Sequence, residues 1–141
     1  MIIIACVDDN GGVLFNHRRQ SSDRVVRQRI LELCTGSKLW MSYYSAREFE
    51  QIGPSEINLD DDFILKAQSG EYCFTEGAEL RSYEPWIEQI ILFRWNRVYP
   101  ADVYFDISLK EHGWQCISRE EFAGYSHERI TMEQYTKLCN P

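Results

Sequence analysis

Hydrophobic residues along this chain fall into short unbroken runs and helix-spaced stripes, separated by polar clusters. Ile2 to Val7 is a continuous apolar run of strand length, the pattern of a strand covered on both faces. Asp8-Asp9-Asn10-Gly11-Gly12 comes next as a turn cluster, rich in residues that tolerate positive φ. Ser21 or Ser22 is placed to cap a helix running to about Leu33. Val25, Val26, Ile30, Leu31 and Leu33 supply its apolar side, and Gly36 supplies the stop.

Lys38 to Ser42 reads as a second, short strand. Ser45 then caps a short helix through Phe49, with Glu48 at the capping-box position. Asp60-Asp61-Asp62 precedes Phe63, Ile64, Leu65 and Ala67, so carboxylates gather where a helix dipole favours them. Glu71 to Thr75 is a third strand and Glu88 to Trp95 a longer one. Trp114 to Ser118 and Ile130 to Tyr135 pair as a terminal hairpin. Alternating strand and helix signals predict an α/β or mixed-sheet domain. No repeat, low-complexity tract or linker divides the chain, so residues 1–141 are read as one domain, a length sufficient for one core.

Composition supports a packed core, with 44% hydrophobic and 13% aromatic residues. No apolar run approaches the roughly 18 residues that span a bilayer. The apolar N-terminus lacks a basic flank and runs into Asp8-Asp9, so it reads as a buried strand and not a signal peptide. Net charge is −7 and uneven: Met1 to Glu50 holds seven Lys/Arg against six Asp/Glu, the remainder eight against sixteen. That balance disfavours nucleic acid and anionic membranes. It suits a basic protein partner, or simply an acidic soluble protein. The five cysteines (Cys6, Cys34, Cys73, Cys116 and Cys139) are scattered and form no C-x-x-C. They point to a reducing, cytoplasmic setting without a disulfide framework, and Cys6 and Cys73 read as buried thiols.

Candidate chemistry is sparse. His17-Arg18-Arg19, with Arg24, Arg27 and Arg29 beyond, is the densest positive cluster: an anion site, or a solvated face with local ion pairs. Arg24 and Arg27 lie three apart and would share a helix face. Tyr43 and Tyr44 either line a cleft that stacks a flat ligand or fill it. His17, His112 and His127 are isolated, so no metal site is expected. Asp60-Asp61-Asp62 lacks the glycine and terminal Glu of a calcium loop. Gly11-Gly12 lacks the residues that complete a phosphate loop.

Several pieces fall in an order that resembles the dihydrofolate reductases. Met1–Val7 followed by Asp9-Asn10-Gly11-Gly12-Val13 resembles that family's first strand and its "N-x-G-I-G"-like turn. Arg19-Gln20-Ser21-Ser22-Asp23 leads into a helix as the family's catalytic acid does. Lys38-Leu39-Trp40-Met41 resembles "K-P-V-I-M-G-R". Ile87–Arg94 with Asp102-Val103-Tyr104-Phe105 resembles the strand ending in "G-D-T-x-F". Trp114, Glu121-Phe122 and Glu128–Thr136 resemble the C-terminal hairpin. The resemblance implies an α/β fold with a dihydrofolate-reductase-like central mixed sheet flanked by helices and a C-terminal antiparallel hairpin, and sets Asp23 at the catalytic acid. There a desolvated carboxylate with a raised pKa would bind a pterin ring and assist protonation beside hydride transfer. A carboxylate in the first turn of a helix also simply favours the dipole. The chain further resembles short bacterial proteins sometimes labelled ribonuclease Z, but the H-x-H-x-D-H cluster of two-metal hydrolases is absent.

Departures from the family are as informative. Its Gly-Arg-x-Thr, which binds cofactor phosphates, is Ser42-Tyr43-Tyr44-Ser45 here. Its Gly-Gly pair, which opens a helix at the pyrophosphate, is Thr75-Glu76-Gly77-Ala78-Glu79, with two carboxylates that would repel phosphates. The middle of the chain is shorter, as if much of the adenosine-binding half were missing. No cofactor is therefore expected. The leading expectation is a non-catalytic binding protein of unknown small-molecule or protein partner. In it Asp23 orients a polar ligand edge, and Arg18, Arg19 and Arg27 supply anion contacts, in a cleft between the first strand and the helix. Two alternatives stand: an atypical NADPH-dependent pterin reductase, and an acidic interaction module such as a toxin-neutralising immunity protein.

Overall fold

The computed structural model describes residues 1–49 and 57–137; Cys139 lies outside the described residues. β1 (Ile2–Val7) is the middle strand of a seven-stranded sheet. It lies parallel to β6 (Tyr72–Phe74) on one side and to β7 (Gln89–Arg94) on the other. Beyond β6 come β4 (Leu39–Met41) and β5 (Ile57–Leu59), both parallel. Beyond β7 the sheet turns antiparallel, with β10 (Ile130–Lys137) and then β9 (Trp114–Phe122) at the edge. A separate three-stranded antiparallel sheet joins β3 (Arg18–Arg19), β2 (Gly12–Phe15) and β8 (Val103–Tyr104). This is the mixed α/β architecture, with a C-terminal antiparallel pair, that the resemblance implies.

The unbroken apolar run of β1 is explained by two cores. Ile3, Ala5 and Val7 pack with Ile90, Leu92, Trp114 and Tyr135 on one face. Ile2 and Ile4 pack on the other with Phe74, Phe93 and the buried side of α1 (Arg24–Leu33), Val26 and Ile30. Burial also pushes the Cys34 and Cys73 thiols up to about 12, so both stay protonated. Cys6, expected to be buried, is only half-buried, because it ends on the side of β1 where a slot opens.

The helical content is low. Among the described residues the other α-helices are α2 (Tyr43–Ala46) and α3 (Phe63–Lys66), one turn each, and 3-10 turns span Arg47–Phe49 and Arg81–Trp86. The small sheet and β5 leave no signal in the hydrophobic pattern, because their strands are two to four residues long and carry no clear alternation. β9 and β10 run longer than expected. Their register slips at Gln134/Tyr135, leaving Ile117 unpaired between Cys116 and Ser118 as an exposed bulge residue. Among the described residues no helix is long and apolar enough to cross a membrane.

Ile4 is fully buried and Ile117 is 55% exposed. Ile4→Ala should therefore cost about 2–5 kcal/mol in urea denaturation, whereas Ile117→Ala should stay within about 0.5 kcal/mol.

Candidate functional site

At the carboxyl ends of β1, β6 and β7 the chain must leave the sheet, and three loops meet the start of α1. Asp8, just past β1, is fully buried. Its Oδ1 accepts the N–H groups of Asn10 (2.8 Å) and Gly12 (2.7 Å). Its Oδ2 accepts Tyr99 N–H (3.0 Å) and Gln20 Nε2 (3.1 Å). One carboxylate thereby ties the turn after β1 to the segment entering α1 and to the loop after β7. Gly12 permits that approach: a Cβ there would lie 2.6 Å from both Ala101 and Gln20.

Asp23 does the same for the other side. Its extended backbone (φ −152°, ψ 131°) makes it the N-cap of α1, so the cap is Asp23 and neither Ser21 nor Ser22. Oδ1 accepts Val25 N–H and Tyr125 N–H, both at 2.9 Å. Oδ2 accepts Ser126 N–H and Ser126 Oγ–H at 2.9 and 3.2 Å, and His127 Nδ1 at 2.9 Å. The loop between β9 and β10 closes onto it only because residue 124 is glycine: a Cβ would sit 2.6 Å from Asp23 Oδ2. Burial by itself would raise this carboxyl, but the donors from Tyr125, His127, Ser126 and Val25 outweigh it and hold the pKa well below the usual range. The resemblance implied a raised pKa. The structure gives a lowered one, because the cleft wall supplies donors where an apolar wall was expected.

His127 is buried and stacks on Trp95, with ring centroids 4.6 Å apart and planes at 25°. Its Nε2 faces Ser21 Oγ at 2.9 Å and Tyr99 Oη at 3.2 Å. A histidine isolated in the sequence thus sits at the centre of a network, through partners as far as 106 residues away along the chain.

Between β1, α1 and β6 lies a narrow slot of about 30 Å³. Its floor is apolar (Cys6, Val26, Ile30, Phe49, Phe74, Trp95), and Asp23, Ser21, Arg19, Arg27, Glu48 and Glu76 line its polar side. The charges there are paired. Arg19 forks onto Glu76 through Nε (2.8 Å) and Nη2 (3.0 Å), and its Nη1 donates to Glu48 (2.9 Å). Arg27 Nη1 donates to the other Glu48 oxygen at 3.2 Å, and Ser45 Oγ–H donates to Glu76 at 2.7 Å. The volume admits a water or two, against the roughly 300–1,000 Å³ of an ordinary ligand site. A more capacious groove of about 650 Å³, containing exposed Leu65 and Trp86, lies at the opposite, amino end of the strands, with none of these groups.

Of the sequence candidates, the structure brings Asp23, Arg19 and Arg27 together around the slot. Tyr44 stands behind Arg19, its ring 4.4 Å from the guanidinium and its hydroxyl accepting Arg19 N–H at 3.2 Å. Arg18 projects from β3 toward a shallow surface depression with Phe15 and Tyr99, and Tyr43 is 59% exposed; neither lines the slot. Arg24 and Arg27 do not act as one patch, since Arg24 lies over Tyr125 while Arg27 meets Glu48. Sequence reasoning misses Glu48, Glu76, Ser21, Trp95 and His127 as site residues, because only the folded chain gathers them.

The stretch set against the family's Gly-Gly pair does not fit a dinucleotide's phosphates. Thr75 donates its hydroxyl to Ile4 O, Glu76 is an ion-paired carboxylate, and the space over Gly77 (φ 84°) is taken by Leu14. The chain then enters a 3-10 turn containing Pro85, with no α-helix N-terminus to meet an anion. Among the described residues no three His, Cys, Asp or Glu side chains gather to hold a metal ion.

No protein-family model matches the sequence, and no curated protein matches it. Among solved structures the chain is similar to dihydrofolate reductase from Enterococcus faecalis, complexed with NADP(H) and RAB-propyl. The TM-score is 0.67 at 10% identity, covering 98% of this chain and 96% of that one. At that identity the likeness is one of fold. The likeness extends over nearly the whole of both chains.

Because its pKa is depressed, Asp23 contributes stability that is complete above its ordinary value of 3.8 and is lost as pH falls below it. Glu84 and Glu133 act in the same sense. Burial opposes ionisation of each, but donors led by Trp114 and Arg94 respectively hold their carboxyls low. The urea midpoint should therefore fall steeply below about pH 4, and Asp23→Asn should flatten part of that fall.

Proposed function

We propose that this chain, on its dihydrofolate-reductase-like fold, is a binding protein that does not carry out hydride transfer. It takes a small, flat ligand bearing an anionic group over the mouth of the narrow slot between β1 and α1, where release of Glu48 from Arg19 and Arg27 makes the room. The observation that supports this reading is Glu48. Its carboxylate bridges Arg19 and Arg27 at the mouth of the slot and is 28% exposed, as an internal stand-in for an anion that can be exchanged. The apolar floor supplies the stacking surface and the two guanidiniums the orienting contacts. Asp23, whose oxygens are all engaged, serves this ligand as part of the wall. Arg18 and Tyr43 would lie outside the contact, with Tyr44 bracing Arg19.

The absence of reduction in this reading rests on the misfit at Glu76 and Gly77 and on the ionised state of Asp23, which has no proton to give near neutral pH. The cytoplasmic setting inferred from the cysteines is part of the same proposal.

A thermal-shift titration with methotrexate, dihydrofolate and NADPH tests it, on the wild type and on Glu48→Gln. A ligand near 100 times its dissociation constant should stabilise the fold by about 2.7 kcal/mol. The two flat carboxylates should raise the melting temperature, and at lower concentration in Glu48→Gln, where the internal competitor is gone. A shift with NADPH would overturn the reading in favour of the reductase. A flat response in both proteins would overturn it in favour of a protein partner.

A further inference from the structure

Ser21, His127 and Asp23 form one continuous hydrogen-bonded chain, with Ser21 Oγ 2.9 Å from His127 Nε2 and His127 Nδ1 2.9 Å from Asp23 Oδ2. The donors around Asp23 fix the direction of each bond. Its carboxylate already accepts three backbone N–H groups and a hydroxyl, so it remains an acceptor and requires Nδ1 to carry the proton. A neutral imidazole protonated at Nδ1 presents a bare lone pair at Nε2, and that lone pair faces the Ser21 hydroxyl. Trp95 stacking and burial hold the ring in this orientation. Ser21 itself is half-buried and lines the slot.

We propose that Ser21 is a histidine-activated nucleophile, with His127 as general base and Asp23 orienting the imidazole, acting on small acyl esters that reach the slot. The roles are those of a serine, histidine and carboxylate triad, which is recognised by geometry and not by order along the chain. Ser21 Oγ attacks the ester carbonyl carbon while its proton passes to Nε2. The bond to the leaving alkoxide breaks, and the departing oxygen takes that proton from Nε2 to leave as the alcohol. A water, deprotonated in turn by Nε2, cleaves the acyl-serine, releases the acid and restores the Ser21 hydroxyl. No oxidant, reductant or metal is needed. The slot's 30 Å³ restricts the acyl part to a short chain. Tyr99 Oη, 3.2 Å from Nε2, shares the lone pair at rest, and its oxygen can accept from Nε2–H once Nε2 holds the proton. The proposal goes beyond ligand binding and does not depend on it.

The test is to treat the intact protein with a fluorophosphonate probe and with p-nitrophenyl acetate, and to follow the adducts by peptide mass mapping. A single adduct on Ser21 is expected, absent in Ser21→Ala. His127→Gln should slow its formation by about 100-fold or more, the usual contribution of a general base. No adduct on Ser21 in the folded wild-type protein would overturn the proposal without recourse to any variant. Labelling that proceeds equally fast in a folded His127→Gln would also overturn it. An adduct on Ser21 in a protein whose melting temperature ignores the ligand panel would sink the binding reading alone. A clear ligand shift without an adduct would sink only the triad.

Discussion

The arrangement of loops above the sheet depends on where a single carboxylate places its lone pairs. Asp23 caps α1 with one of them and holds the backbone of Tyr125 and Ser126 and the ring of His127 with the others. A buried carboxylate is tolerable only when fully paired. The β9–β10 loop must therefore close onto the start of α1, and Gly124 is there because any side chain would strike the carboxylate. His127 is carried into that closure behind Tyr125 and Ser126. Its stacking on Trp95 and its contact with Ser21 are consequences of the same constraint.

Neutralisation within the slot obeys a similar logic. Arg19, Arg27, Glu48 and Glu76 come from β3, α1 and the segments after α2 and β6, and each would be a costly charge if left alone over an apolar floor. Paired, they hold four separate segments in one geometry and keep the opening narrow. The outcome is a fold shared with a reductase whose cleft satisfies its own charges. The Ser21–His127 contact lies outside these ion pairs.

Legibility in the sequence tracked the distance over which each interaction is made. The run Ile2–Val7, the stripe Val25, Val26, Ile30, Leu31 and Leu33, of which Val26 and Ile30 are buried, and the Gly36 stop are local patterns, and each gave its element. The late strands Trp114–Phe122 and Ile130–Lys137 were visible as a pair, but not their full length or their bulge, since register is set by the partner strand. The cap fell to Asp23 and not to a preceding serine, because Tyr125 and Ser126 recruit the same carboxylate, and they are remote in sequence. Glu76 was legible as a charge unsuited to phosphate, yet its engagement with Arg19 was not.

The sequence by itself determined the strand and helix order, the burial of β1 on both faces, the family of folds the chain resembles, and the residue types that could carry chemistry. Those depend on periodicity and on local steric preference, which each segment carries with it. Only the tertiary structure decided that Asp23 is an ionised clamp, that Arg19 and Arg27 share Glu48, and that His127 stands between Ser21 and Asp23. A side chain's charge state and reactivity are set by what lies within about 3 Å of it. For these residues, that neighbourhood is drawn from both ends of the chain.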